Sequence, residues 1–206
     1  MTLARREIGP ASAKRTTRSD AEVVRDAQAG DRHAMGMLYD RHAAYVQRVI
    51  RRVLGADTET ADLLQDTFVA AFGRLERLRE PEKFRAWVAQ IAVNLVRTRL
   101  RARRARAWLT FGSELPEVEV AGLDAAARET LRRAYAILAK LPVEERLVFS
   151  LCHLEGMSLD ELASACGTSV ATAKRRLRRA RERVSKLASL DPALRTLVTS
   201  EDDHEP

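Results

Sequence analysis

The sequence predicts an all-α protein of two small helical domains, and three observations predict it. Apolar residues recur at helical spacing along most of the 206-residue chain. Only 9 Gly and 6 Pro are available, too few for the many tight turns of an all-β fold. The hydrophobic fraction of 46% is high enough to form cores in place of a disordered chain. With 36 Lys+Arg against 29 Asp+Glu, the formal charge of +7 favours an anionic partner.

Residues 1–19 lack a helical period and carry a basic excess, which predicts a disordered leader or a weak phosphate-contacting arm. From Asp20 the pattern becomes regular: Val23, Val24 and Ala27 share one helical face, and a break at Ala29-Gly30-Asp31 follows. A longer stripe through Met35, Leu38, Tyr45, Val46, Val49, Ile50 and Val53 then ends at Gly55. A third helix is expected over residues 58–78 with Leu64, Phe68, Ala71, Phe72 and Leu75 inward. A fourth is expected over residues 82–104 after the Glu80-Pro81 break, with Phe84, Val88, Ile91 and Leu95 inward. These four form a first domain, 20–108. Residues 109–124 contain Gly112, Pro116 and Gly122 and several acids without Lys or Arg, and read as a flexible linker. Periodicity resumes at Leu131, Tyr135 and Leu138, Pro142 starts another helix through His153, and two more follow in a second domain, 125–188. Residues 189–206, with Glu201, Asp202, Asp203 and Glu205, read as an acidic, solvated tail.

The second domain contains a helix-turn-helix pattern. Ser158 caps a helix and Glu161, three residues on, closes the capping box. Leu159, Leu162, Ala163 and Cys166 form its apolar side, and Gly167-Thr168-Ser169 provides a turn with glycine where a left-handed residue is required. The following helix has Val170, Ala173, Leu177, Ala180 and Val184 on one side. Opposite lie Ala171, Arg175, Arg178 and Glu182, flanked by Lys174 and Arg179. Residues 172–186 hold eight basic residues and one acid, a density that repels itself without a polyanion. Such a helix fits the DNA major groove, where arginine forks reach guanine edges and cations neutralise phosphates.

Helix four repeats the logic. Gln90, Asn94, Arg97 and Arg101 share a face with Trp87 at its edge, and six arginines fall within residues 97–106. Side-chain amides contact base edges, arginines track phosphates, and Trp87 is either a stacking platform or a core residue. On the third helix Asp62, Gln65 and Asp66, beside Leu63 and Val69, lie off the apolar stripe; an exposed Leu among carboxylates fits a protein-binding patch or a solvated face.

The remaining chemistry is sparse. His33, His42, His153 and His204 are scattered, no glycine-rich phosphate loop or nucleophile triad occurs, and the spacing of Cys152 and Cys166 makes no zinc or redox motif, so both read as plain thiols. No cofactor is expected and the chain is not read as an enzyme. The absence of a signal core or a long apolar run predicts a cytoplasmic protein that does not insert into membranes. A rival reading, a metal-dependent nucleic-acid enzyme built on Asp57, Glu59, Asp62 and Asp66, lacks support from any of these patterns. A stand-alone helix-turn-helix regulator explains only the last third.

Four strings together resemble the bacterial RNA polymerase sigma factors of the extracytoplasmic-function (ECF) group, over about residues 20–187. They are Ala61-Asp62-Leu63-Leu64-Gln65-Asp66-Thr67-Phe68; Phe84-Arg85-Ala86-Trp87 with Ile91-Ala92-Val93-Asn94; Leu141-Pro142-Val143-Glu144-Glu145-Arg146; and the 157–163 and 180–183 stretches of the helix-turn-helix domain. The resemblance implies a region 2 domain that opens the promoter and a region 4 domain that binds the −35 element. Its implied partners are core RNA polymerase, promoter DNA and an anti-sigma factor. It implies that Asp62, Leu63, Gln65 and Asp66 dock on the polymerase clamp, that helix four with Asn94 reads the −10 element, and that Lys174, Arg175, Arg178 and Arg179 meet the −35 element. Two departures are visible. The loop 78–83 replaces the Gly/Ser-containing stretch common in the group, and Arg175 stands where small polar residues are frequent.

Overall fold

The computed structural model describes residues 18–55, 59–109 and 124–199, and every regular element among them is a helix. Each helix starts where local chemistry can satisfy its unpaired N–H groups. In α1 (Asp20–Gln28) the Ser19 hydroxyl accepts from Glu22 N while the Glu22 carboxylate accepts from Ser19 N at 2.7 Å, a reciprocal box. Helix α2 (Arg32–Leu54) is capped by Asp31, which accepts from His33 N at 2.8 Å, and it stops at Gly55, whose φ of +89° suits glycine.

Helix α3 (Thr60–Phe72) is shorter than the expected 58–78: Gly73 ends it, and a 3-10 turn over Leu75–Arg77 follows. That turn is pinned to α1, because the Gln28 amide donates to the carbonyls of Leu75 and Leu78 at 3.0 and 2.9 Å. A second 3-10 turn, Pro81–Lys83, leads into α4 (Phe84–Leu109), which begins two residues later than expected and extends beyond 104. Phe84, Val88, Ala92, Val93 and Val96 of α4 are buried with Leu38, Val49, Ile50 and Phe68 in the first core.

The second group comprises α5 (Ala125–Lys140), α6 (Val143–Phe149), α7 (Leu159–Cys166), α8 (Val170–Ser189) and α9 (Pro192–Thr199); α6 continues in π winding through Ser150–Leu154. Helix α9 corrects the expectation of a solvated tail from 189 onward. Asp191 accepts from Ala193 N at 2.9 Å, Pro192 suits the first turn, and Leu194 is buried with Ile137 and Ala188. The expected linker lies almost wholly outside the described residues. Among those described, no helix is long and apolar enough to cross a membrane.

The two groups of helices pack on each other. One continuous cluster of buried residues runs from Val23 in α1 to Ala180 in α8, with α4 lying against α7 and α6 as well as α2 and α3. Arg146 of α6 seals the end of α2: its buried guanidinium donates to the carbonyls of Val53 at 3.0 Å and Leu54 at 3.4 Å. Those carbonyls are among the last of the helix, so a cation there also complements the helix dipole. Tyr135 adds a hydroxyl bond to Arg51 O at 3.3 Å, and Arg48 pairs with Glu155 at 2.8 Å.

Two expectations follow. Replacing Arg146 by Met keeps the apolar stem but strips two buried carbonyls of their donor, so urea unfolding should show a loss of roughly 1–3 kcal/mol. His42, buried against Phe84 at 5.0 Å between ring centroids, is held below its usual 6.5 by burial, only partly countered by Asp20. Folded chain then resists a proton that unfolded chain accepts. The urea midpoint should therefore fall as pH drops below about 6.5, and His42→Gln should flatten that slope.

Candidate nucleic-acid interface

Helix α8 is oriented by its apolar side. Ala173, Leu177 and Ala180 are buried, which turns Lys174, Arg175, Arg178 and Arg179 to solvent. The turn before it has the expected construction: Ser158 and Glu161 cap each other reciprocally, Gly167 takes the left-handed conformation at φ +62°, and Ser169 Oγ accepts from Thr172 N at 3.2 Å. Among the described residues Lys174, Arg175 and Arg179 have no carboxylate within ion-pair distance, and Arg178 is only 3.8 Å from Glu182 on its own helix. Four cations thus project from a rigid helix into water, a face complementary to a phosphate-lined groove.

The α4 face is built from the same residue types and is partly covered, with Asn94 and Arg101 exposed and Gln90 half-buried. Its axis carries Gln90, Asn94, Arg97 and Arg101 along one side, yet the side chain of Arg97 is only 14% exposed. Arg97 Nε lies 3.1 Å from Glu144 Oε1, its Nη2 donates to Cys166 O at 2.8 Å, and its Nη1 donates to the Asn94 side-chain oxygen. Arg101 reaches the same Glu144 oxygen at 2.8 Å, while Arg176 of α8 takes the other at 3.1 Å. Gln90 is tucked beneath the turn, since a Cβ on Gly167 would meet its Nε2 at 3.2 Å. Trp87 is half-buried with its ring 6.0 Å from Phe84, so it is at once a core neighbour and the edge of this face.

Further along α4, Arg99 and Arg103 both clasp Glu59. Burial pushes the Glu59 carboxyl up, but the two guanidinium groups more than offset it and hold it below the usual carboxylate range.

The α3 surface needs a correction. Asp62, Gln65 and Asp66 are exposed as expected, but Leu63 is 7% exposed and sits in the core with Thr67, Phe68 and Ala71. The buried stripe is rotated by one residue, because α3 packs on both α2 and α4 and Leu63 fills that crevice while Leu64 is only partly buried. The apolar group beside the carboxylates is Val69, 66% exposed, and Tyr39 of α2 stands nearby at 40%, its ring 4.7 Å from Phe68. Residues 62, 66 and 69 follow helical i, i+4, i+7 spacing, the signal that picks out Val69. The residue that sequence reasoning missed altogether is Glu144, whose role as a three-arginine acceptor arises only when the two helical groups meet. Among the described residues no group of three or more His, Cys, Asp or Glu is placed to hold a metal ion.

Comparison with known proteins gives the arrangement its context. Residues 38–106 match the family model for sigma-70 region 2, and residues 131–184 match the model for sigma-70 region 4. The chain is 35% identical over 184 residues to the RNA polymerase sigma factor CnrH of Cupriavidus metallidurans, covering 84% of this chain and 96% of that protein. It is 32% identical over 173 residues to the ECF RNA polymerase sigma factor SigM of Mycobacterium tuberculosis, covering 84% and 86%. Among solved structures, CnrH in complex with the cytosolic domain of CnrY superposes with a TM-score of 0.61 at 31% identity, over 84% of this chain and 98% of that one. The fold is also that of the sigma factor RpoE of Bartonella quintana, solved with the anti-sigma factor NepR, at a TM-score of 0.57 and 21% identity over 76% and 97%.

The closed face has a measurable chemical consequence at Cys166. Burial pushes its thiol up to about 11, and its backbone carbonyl is occupied by Arg97. At pH 8 the folded chain should be alkylated at the half-buried Cys152 well before Cys166. Unfolding in urea should speed Cys166 by about 100-fold or more, the factor that two pK units of thiolate population represent.

Proposed function

This chain belongs to the ECF group of the sigma-70 family, and we propose from that premise which of its surfaces meets each partner. As a sigma factor it binds core RNA polymerase and directs it to promoters. The observation that carries the assignment of surfaces is the pair of cationic helices, α4 inside the region 2 match and α8 inside the region 4 match. On this reading Lys174, Arg175, Arg178 and Arg179 contact the −35 element in the major groove, the arginines by forked contacts to guanine and the lysine as a phosphate neutraliser. Asn94 and Gln90 serve the −10 element. A side-chain amide donates to and accepts from one base edge, and that edge is available only in an unpaired strand. Trp87 offers a flank for stacking, and Arg97 and Arg101 hold the adjoining phosphates.

Asp62, Gln65 and Asp66, with Val69 in place of the buried Leu63, form the face we assign to core polymerase, where carboxylates around an apolar centre meet a basic helical partner. An anti-sigma factor is a further partner on this reading. The protein works by binding alone, without catalytic chemistry, and acts in the cytoplasm where polymerase and DNA meet.

Run-off transcription with purified core polymerase tests the reading: addition of this chain should create promoter-specific start sites that core alone does not use. Asp62→Arg with Asp66→Arg should abolish capture of core polymerase while circular dichroism stays helical. Arg175→Ala or Arg178→Ala should relax discrimination at single −35 base pairs by about 1–3 kcal/mol in competition binding. Asn94→Ala should leave polymerase binding intact and lower open-complex formation in permanganate footprinting.

A further inference from the structure

The two cationic helices are not in the same state. The outward face of α8 stands in water, whereas on the α4 face Gln90 and Arg97 are drawn under α6, α7 and the helix-turn-helix turn, and Asn94 and Arg101 beside them stay open to solvent. Glu144 is the centre of that closure. It lies in the first turn of α6, in the second helical group, and its two oxygens take Arg97, Arg101 and Arg176 at 3.1, 2.8 and 3.1 Å. Two of those arginines belong to the α4 face and the third to the inner side of α8, so one carboxylate ties α4, α6 and α8 together.

The geometry mimics a phosphate. Arg101 and Arg176 donate one to each oxygen of the carboxylate and Arg97 Nε faces it as an ion pair, the kind of contact set arginine makes to nucleic-acid backbone. Glu144 occupies the groups that would otherwise hold the −10 strand. The remaining contact, Arg97 to Cys166 O, seals the same face from the side of α7, and the turn glycine covers Gln90.

We propose that Glu144 is an intramolecular anionic latch: in the chain without polymerase it draws Arg97, Arg101 and Arg176 onto itself, occupying the phosphate-holding arginines of the α4 face while leaving the −35-reading face of α8 available. This rests on the assignment of α4 to the −10 strand. The closed protein then binds −35 duplex but holds −10 strand weakly, and the full set of −10 contacts becomes available only when α6 and α7 withdraw. Glu144 and a promoter phosphate are competitors for the same guanidinium groups, so withdrawal and strand capture are coupled.

The test uses the full chain with Cys152→Ser, so that Cys166 alone reports opening. Glu144→Gln keeps the shape and removes the charge. Arg176→Gln weakens the cluster from α8 without touching α4. Glu129→Gln is the charge-matched control, since Glu129 pairs with Arg132 and Arg133 of its own helix α5, away from both reading faces. For each variant, Cys166 alkylation at pH 8 is timed without DNA, urea unfolding confirms that the fold is kept, and affinities are measured for a fluorescent −10 non-template single strand and for a −35 duplex. Glu144→Gln should raise Cys166 labelling by roughly five- to thirtyfold, the range expected for removal of a small cluster of partly screened pairs. The ratio of −10 strand to −35 duplex affinity should rise with it. Arg176→Gln should move labelling the same way, and Glu129→Gln should move neither.

Unchanged Cys166 labelling in both Glu144→Gln and Arg176→Gln overturns the latch. Faster labelling with an unchanged affinity ratio would instead show that the closure exists but does not guard the −10 reader, and the assignment of α4 to that element would fall.

Discussion

Helix α4 is the constraint on which the rest of this structure depends. It is a single helix of 26 residues asked to do two incompatible things. Phe84, Val88, Ala92 and Val96 must be buried against α2 and α3 to give the first domain a core, and the opposite side must remain polar to read nucleic acid. In the closed chain that polar side is divided: Asn94, Thr98 and Arg101 meet water, while Arg97 is packed against the second domain, and α4 contributes to one continuous core shared by both. The capped ends of the surrounding helices, the Gln28 clamp on the 3-10 turn, and the Arg146 seal on α2 all fix where the neighbours of α4 lie.

Internal carboxylates explain how so basic a helix can be packed at all. Removing several arginines from water costs more than apolar contact returns unless their charge is matched, and Glu59 and Glu144 supply the match at two points along α4. Arginine suits the task because its planar fork can hold a carboxylate, a carbonyl and an amide oxygen at once, as Arg97 does. Neither cluster is sealed from solvent, so the pairs are worth modest free energies each and can be exchanged for phosphates. The contrast with α8 is physical: its inner side is neutralised by Glu144 and Glu145 through Arg176 and Arg183, whereas its outward cations are left to the polyanion they await.

Much of this was legible in the residues. Apolar spacing located the first eight helices, and the Ser158–Glu161 box with Gly167 located the helix-turn-helix turn, because caps and left-handed glycines are local chemistry. Reading failed where the answer depends on what a helix packs against. Leu63 and Leu64 are adjacent and equally apolar, and only the positions of α2 and α4 decide which is buried. Helix α9 was lost to the acidic residues that follow it, although Asp191-Pro192 is a local start signal. The cationic faces were also legible as faces, since spacing alone groups Gln90, Asn94, Arg97 and Arg101. What no spacing reveals is that Glu144, distant in sequence, forms ion pairs with two of them, because that contact exists only once two domains have docked.

The central claim is that the second domain lies against the arginines of the α4 face in the free chain and leaves them on a promoter. Electron spin resonance distances between labels at Thr98 of α4 and Ser164 of α7, both exposed, measure this directly once Cys152 and Cys166 are replaced by Ser and Ala. The account predicts one short, narrow distance in the free chain and a long one in the open complex with core polymerase and promoter DNA. A distance that is the same in both states, or already long in the free chain, would contradict it.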